Sequence, residues 1–233
     1  MISNATNVKN LNKKIQMNDE VKPKLKLISL FSTPVVKTNI GRNFTKKEIE
    51  CIANIPMYFD DLLQRSQSKD YQLFNTFVEE LKDIKTFCEQ ELKRYLEDIE
   101  GVDTDITNLK ITASWLNKLK PQNHIDMHNH RNSHLSGILY IRCLPDDNIQ
   151  FLDKEFQDAT LALPKKKMTI FNAEGVAVDI KEGDFIIFPS LLLHQVGVNG
   201  TEDQERISLS FDTWPTHIPS LYPPYQERFF RVK

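Results

Sequence analysis

One stretch of eleven residues carries four of the six histidines in this chain: His124-Ile125-Asp126-Met127-His128-Asn129-His130-Arg131-Asn132-Ser133-His134. Neutral imidazole is the commonest metal ligand in proteins. In an extended strand, alternate side chains point to the same face. His128 and His130 would then share one face, and His124 and Asp126 would also share one. The stretch therefore predicts two metal ligands at one strand end, and either pair would provide them.

A third ligand is predicted from a separate stretch: Gly183-Asp184-Phe185-Ile186-Ile187-Phe188-Pro189-Ser190-Leu191-Leu192-Leu193-His194. Here an apolar strand and a Pro-Ser bend precede His194. An imidazole buried after such an apolar run would be costly without a partner. Two ligands from one strand and one from another leave coordination positions open around iron. This pattern indicates oxygen chemistry.

Arg206 and Ser208 follow at alternate positions of another predicted strand. The planar guanidinium suits a carboxylate, and a buried arginine needs an anionic partner. One interpretation is a structural ion pair with Asp184 or Glu205. The alternate serines favour the other interpretation, in which Arg206 and Ser208 bind the far carboxylate of a dicarboxylic cosubstrate.

The second half of the sequence predicts a mainly β fold. Short apolar runs alternate with turn sequences, and no helix interrupts them at the spacing of a parallel sheet. We expect a double-sheet jelly roll, cupin-like, with helices packed outside it. The predicted strands are 106–112, 113–119, 135–142, 149–152, 168–171, 176–180, 184–188 and 207–211.

The first half predicts an arm and a helical support. Residues 1–26 are rich in lysine and indicate a flexible basic arm, followed by a single domain over 27–233. Within that domain we expect helical support over 45–100, a jelly-roll core over about 106–212 and a tail rich in proline and aromatic residues over 213–233. Thr45 and Glu48 have the spacing of a capping box. Apolar residues at helical spacing from Phe74 to Leu96 predict one long helix, which Gly101 ends.

Composition excludes several classes of protein. A net charge of −2 provides no general attraction for nucleic acid, and no apolar stretch is long enough to cross a membrane. Three separated cysteines form no zinc-binding pair or disulfide framework, which favours a reducing cytoplasm. Exposed strand edges and the aromatic tail are compatible with a homodimer.

Three motifs together resemble those of the 2-oxoglutarate- and Fe(II)-dependent oxygenases of bacteria and phages, within the prolyl-hydroxylase-like superfamily. They are His128-x-His130-x5-Ser136-Gly137, then Gly183-Asp184-x3-Phe188-Pro189-Ser190-x3-His194, then Arg206-Ile207-Ser208-x-Ser210-Phe211. The resemblance runs from about Leu30 to Asp212.

The resemblance implies a double-stranded β-helix that uses Fe(II), 2-oxoglutarate and O2. It implies that His128, His130 and His194 bind the metal, and that Arg206 and Ser208 bind 2-oxoglutarate. Tyr140 and Asn117 are further candidate cosubstrate contacts. The wider superfamily has a carboxylate in its first motif, and only His124-Ile125-Asp126 provides one here, so that pair remains the alternative.

The expected function is an Fe(II)- and 2-oxoglutarate-dependent oxygenase, a dioxygenase of the hydroxylase type that releases succinate and CO2. Its substrate would be an unidentified peptidyl residue or small molecule. The alternatives are another cupin-like metal enzyme, such as an isomerase or a cosubstrate-independent dioxygenase, and a non-catalytic jelly-roll binding protein.

Overall fold

The computed structural model of the protein describes residues 32–60, 65–152, 164–169 and 172–217. Its helices and strands belong to one compact unit. In chain order they are β1 (Val36–Asn39), α1 (Lys46–Asn54), β2 (Met57–Asp60), β3 (Arg65–Ser68), α2 (Leu73–Thr76), α3 (Lys82–Tyr95), a π-helical turn (Leu96–Glu100), β4 (Leu109–Leu119), β5 (Ile125–His128), β6 (Leu135–Arg142), β7 (Asn148–Leu152), β8 (Gly175–Asp179), β9 (Asp184–Pro189), β10 (Leu193–Val196) and β11 (Arg206–Pro215).

The strands form two sheets. The major sheet has the order β1-β9-β6-β11-β4-β3-β2, and the minor sheet has the order β5-β10-β7-β8. All of the pairings between these strands are antiparallel. The predicted jelly roll with flanking helices is confirmed.

The major sheet is covered on both faces, which explains its nearly continuous apolar strands. Leu135 and Leu139 of β6 pack in one core with Ile84 and Leu92 of α3. The alternate residue Ile138 faces the other way and packs with residues of β7 in a second core. Because side chains alternate along a strand, one strand supplies both cores. The helices therefore support the sheet from outside, and the site lies between the sheets.

Close packing fixes the centre of the major sheet. Gly137 of β6 lies directly opposite Phe211 of β11. A Cβ atom at Gly137 would overlap the ring of Phe211. Glycine therefore allows this aromatic ring to lie against the β6 backbone.

The helical half differs from the expectation in one respect. The capping box is confirmed, because Thr45 Oγ1 accepts a hydrogen bond from Glu48 N and the Glu48 carboxylate accepts one from Thr45 N. The single helix predicted from Phe74 to Leu96 is wrong, because the chain leaves the helix after Thr76 and starts α3 at Lys82. The apolar stripe still forms the core, and Gly101 ends the helical segment with a φ of 66°.

Several strands also differ from the expectation. The β2–β3 hairpin lies inside the segment expected to be helical, and the strands predicted over 106–112 and 113–119 are one strand, β4. β10 was not predicted, and Met168 and Thr169 are not in a strand. The predicted arm, Leu30, and tail residues 218–233 lie outside the described residues. Across the described part of the chain, no helix combines the length and apolar character needed to span a membrane.

Candidate metal centre

The structure brings His128, His130 and His194 together. His194 of β10 lies directly opposite His128, the last residue of β5. His130 follows β5, and its backbone N–H donates to the carbonyl of Ser190 at 2.8 Å. One ligand atom from each imidazole lies within 4.8 Å of the other two, a separation that one metal ion can bridge.

A hydrogen bond at Nδ1 orients each of the three rings. His128 Nδ1 lies 2.7 Å from the carbonyl oxygen of Asp126, and His194 Nδ1 lies 3.0 Å from that of Leu192. His130 Nδ1 lies 2.7 Å from Oδ1 of Asp212. All three acceptors require a proton on Nδ1, which leaves the lone pair on Nε2 for a metal.

The protein also keeps two of these rings neutral. Burial lowers the pKa of His128 to about 4 and, together with the neighbouring histidines, lowers the pKa of His194 well below its usual value. A neutral imidazole is the form that binds metal, so protons compete weakly for these two nitrogen atoms.

The alternative ligand pair is arranged differently. His124 Nε2 lies 3.0 Å from Asp126 Oδ1, and the Asp126 side chain is 56% exposed. Among the described residues, neither side chain belongs to the group of converging ligand atoms. His134 is paired with Glu100 at 3.0 Å, and this hydrogen bond raises the pKa of His134. Both are surface pairs at the edge of the histidine stretch.

Asp212 is held by a second contact. Ser136 Oγ donates to Asp212 Oδ1 at 2.7 Å and lies 2.8 Å from Oγ of Ser190. Ser136 and Asp212 face each other across the β6–β11 pairing. The carboxylate that holds His130 is therefore itself fixed by the major sheet.

Arg206 lies on the same side of β11 as Ser208, and both side chains are buried. The guanidinium lies 3.3 Å from Oδ1 of Asp147 and over the ring of Tyr140, 5.0 Å from its centroid. The alternative interpretation of Arg206 as a structural ion-pair residue named Asp184 or Glu205 as its partner. Arg206 lies beside Asp147 instead, and Asp184 pairs with Lys37 at 2.8 Å.

The cavity beside the histidines has buried polar atoms without hydrogen bonds. Its lining includes Arg206, Ser208, Asn117 and Trp115 as well as the three histidines. Nε of Arg206, Oδ1 of Asn117 and Nε1 of Trp115 make no hydrogen bond to the described residues, and neither does Oη of Tyr140 beneath the guanidinium. Orphaned buried polar atoms are rare and call for an explanation. The donors of this set that line the cavity, Nε of Arg206 and Nε1 of Trp115, could donate hydrogen bonds to a carboxylate.

Sequence reasoning missed three residues of this site. Asp212 had a usable signal, because Arg206, Ser208, Ser210 and Asp212 alternate along one strand and therefore share a face. No sequence signal pointed to Asp147, because it follows a turn. The position of that turn relative to Arg206 depends on how the strands assemble into the sheets. Arg65 of β3 also lines the cavity, and it was missed because the β2–β3 hairpin was expected to be helical.

Residues 113–212, from within β4 to within β11, match the model of a family described as "Putative 2OG-Fe(II) oxygenase". Over this segment the chain resembles the 2OG-Fe(II) oxygenases. The matched segment contains the three converging histidines and Arg206. The family's description states what its members use, which is ferrous iron and 2-oxoglutarate (2OG).

Solved structures share the fold of this chain. SnoK, a non-heme alpha ketoglutarate dependent carbocyclase from nogalamycin biosynthesis, is 10% identical with a TM-score of 0.52, over 78% of this chain and 79% of SnoK. The epimerase SnoN from the same biosynthesis is 11% identical with a TM-score of 0.51, over 86% and 91%. HygX from Streptomyces hygroscopicus, solved with nickel, 2-oxoglutarate and hygromycin B, is 12% identical with a TM-score of 0.50, over 79% and 84%. No curated protein sequence matches the chain significantly.

Proposed function

We propose that this chain is a 2OG-Fe(II) oxygenase and that it holds Fe(II) through the Nε2 atoms of His128, His130 and His194. The observation that carries the proposal is the hydrogen bond at each Nδ1, which leaves Nε2 free on three rings whose ligand atoms lie within 4.8 Å of one another. Three protein ligands leave coordination positions for the cosubstrate and O2. The exposed pair of His124 and Asp126 has no corresponding arrangement.

Asp212 acts in this proposal as a positioning residue. Metal-binding histidines commonly donate their second N–H to a carboxylate, which fixes the ring and makes the other nitrogen a better donor. Asp212 supplies this contact for His130. The negative charge that the His128-x-His130 motif lacks as a direct ligand is therefore present one hydrogen bond further out.

Arg206 is the proposed partner of the distal carboxylate of 2OG. Its unused donors lie in the cavity, and Ser208 is the next residue on that face. Asn117 and Tyr140 lie directly opposite Ser208 on the two neighbouring strands. Four side chains from three adjacent strands would then surround the cosubstrate opposite the metal.

Bound Fe(II) supplies the chemistry that couples decarboxylation of 2OG, to succinate and CO2, with hydroxylation of a C–H bond by O2. The chain's own residues bind, orient and exclude water. The three histidines fix the metal geometry, Arg206 fixes the far end of the cosubstrate, and the apolar residues of the lining keep the cavity dry: Ile125, Ile138, Ile149 and Val196.

The substrate in this proposal is a peptidyl residue or a small molecule. HygX was solved with a small molecule, hygromycin B, which supports the second class by analogy of fold. A cytoplasmic location and a homodimer remain predictions, and so does the division into an arm, a single domain and a tail.

Aerobic turnover of 2OG tests the proposal. With added Fe(II), the protein should convert 2OG to succinate, and Arg206→Ala and His194→Ala should each remove most of this activity. Binding of a divalent metal without any effect of 2OG on the iron spectrum would favour another cupin-like metal enzyme. Succinate formation unchanged in both variants would overturn the residue assignment.

A further inference from the structure

Arg206 lies between two cavities. It lines the cavity of the histidines. It also lines a second cavity of about 230 Å³, to which Asp147 and Gln150 contribute as well. Asp147 does not line the first cavity. A carboxylate that reaches Arg206 from the metal side therefore meets a guanidinium that already has a negative partner behind it.

Asp147 is firmly fixed in this position. The backbone N–H of Leu144 donates to Oδ2 of Asp147 at 3.2 Å, and the N–H of Ile180 donates to its carbonyl oxygen at 2.9 Å. The side chains of Arg206 and Asp147 are only 3% and 6% exposed. Solvent screens such a pair weakly, so each charge acts strongly on the other and on nearby ligands.

We infer that Asp147 limits the affinity of this enzyme for 2OG by sharing the charge of Arg206. In the cosubstrate-free enzyme, Asp147 compensates a buried cation that would otherwise be costly. When 2OG binds, its distal carboxylate adds a second anion beside the same guanidinium, and the two anions repel each other. The inference rests on the proposed role of Arg206.

Asp147→Asn tests this inference, because it removes the charge and keeps the size. Titration of 2OG into the Fe(II)-loaded enzyme without oxygen should show about tenfold tighter binding than in the wild type, the order expected for one nearby like charge that is partly screened. The variant without 2OG should melt at a lower temperature, because Arg206 has lost its partner. Addition of 2OG should raise its melting temperature by more than in the wild type.

Two controls isolate the distal carboxylate. Asp146→Asn makes the same charge change at the exposed neighbouring residue and should leave the affinity within about twofold of the wild type. The monoacid 2-oxobutyrate has the metal-binding end of 2OG but no distal carboxylate, so Asp147→Asn should not tighten its binding. Asp147→Glu, which restores the charge, should return the affinity for 2OG toward that of the wild type.

The outcomes separate this inference from the proposed function. If Arg206→Ala binds 2OG as the wild type does, the assignment of Arg206 fails and the inference fails with it. If Arg206→Ala loses 2OG while Asp147→Asn binds it equally or more weakly, only the inference is overturned, and Asp147 merely orients the guanidinium. If Asp147→Asn folds only when 2OG is present, the ligand has replaced the missing anion, as expected. Failure to fold in both conditions would also overturn the inference.

Discussion

The two sides of the cavity differ in whether their polar atoms have hydrogen-bond partners. On the metal side, each Nδ1 of the three histidines has an acceptor within 3.0 Å. On the cosubstrate side, Arg206, Asn117 and Tyr140 keep buried polar atoms without a hydrogen bond to the described residues. The metal side is therefore arranged before any ligand arrives, whereas the cosubstrate side carries a desolvation cost that a bound anion would remove.

The largest expected effect is the loss of metal binding when one of the three histidines is removed. His128→Ala should abolish stoichiometric binding of Fe(II) or Co(II), because one of three converging nitrogens is lost. His124→Ala should leave it unchanged, since His124 Nε2 pairs with Asp126 in the exposed pair. Metal analysis after anaerobic loading checks both variants. The reverse result would make His124 and Asp126 the metal-binding pair.

The next effect tests how the metal side is held. Asp212→Asn keeps an acceptor for His130 but removes the charge, and we expect a roughly 10–100-fold loss of metal affinity. The matched variant Asp126→Asn leaves intact the backbone carbonyl that holds His128 and should have no such effect. Titration with Co(II), followed by its absorption spectrum, measures both. Equal affinities in the two variants would show that Asp212 has only a structural role.

A smaller effect is expected for the buried polar atoms of the cosubstrate side that lack hydrogen bonds. Removing such an atom should not lower the stability of the free protein. Tyr140→Phe removes a buried hydroxyl without a hydrogen bond, so the free protein should keep its stability or gain up to about 1 kcal/mol, while binding of 2OG weakens severalfold. Tyr95 is a matched control, because its hydroxyl donates to the carbonyl of Pro34 at 3.2 Å. Tyr95→Phe should lose about 1 kcal/mol and bind 2OG normally. Chemical denaturation and 2OG titration compare them, and a clear loss of stability in Tyr140→Phe would contradict the interpretation.

The smallest expected effect is a pH-dependent change in stability that arises from His134, at the edge of the metal side. His134 has a raised pKa because it is bonded to Glu100. The folded protein therefore holds this proton more tightly than the unfolded chain does. The resulting stabilisation is complete below pH about 6.5 and disappears as the pH rises through the raised pKa. Solvent screens the pair, so we expect about 0.3 kcal/mol.

The difference in stability between the wild type and His134→Gln, followed from pH 5.5 to 9, isolates this contribution, because the other histidines titrate in both proteins. Metal affinity should be equal in the two proteins. A difference that grew with rising pH would contradict the sign.

Local pattern was sufficient to predict much of this molecule. The short apolar runs of β6, β9 and β11, with turn sequences between the runs, predicted the jelly roll, and the spacing of His128 and His130 predicted that they share a direction. Both features depend on neighbours within a few residues. The function was predicted from motifs. The family match over 113–212 confirms this prediction at the level of a 2OG-Fe(II) oxygenase.

Partners across the sheets could not be predicted in the same way. Asp212 meets His130 from 82 residues away, and the partner of Arg206 depends on how the turn after β6 folds back. The break between α2 and α3 is also a tertiary effect. The periodicity from Phe74 onward continues across the break because those residues still line one core, although the backbone leaves the helix.

The position of β11 has a consequence for synthesis of the chain. β11 lies between β6 and β4 at the centre of the major sheet, yet it follows every other described strand in the sequence. On the ribosome, the group β1-β9-β6 and the group β4-β3-β2 lack their shared neighbour until residues 206–215 have emerged. Asp212 and Arg206 arrive with that strand. A nascent chain therefore lacks the proposed contact to 2OG and the carboxylate that holds His130, so binding of 2OG is expected to follow translation of β11.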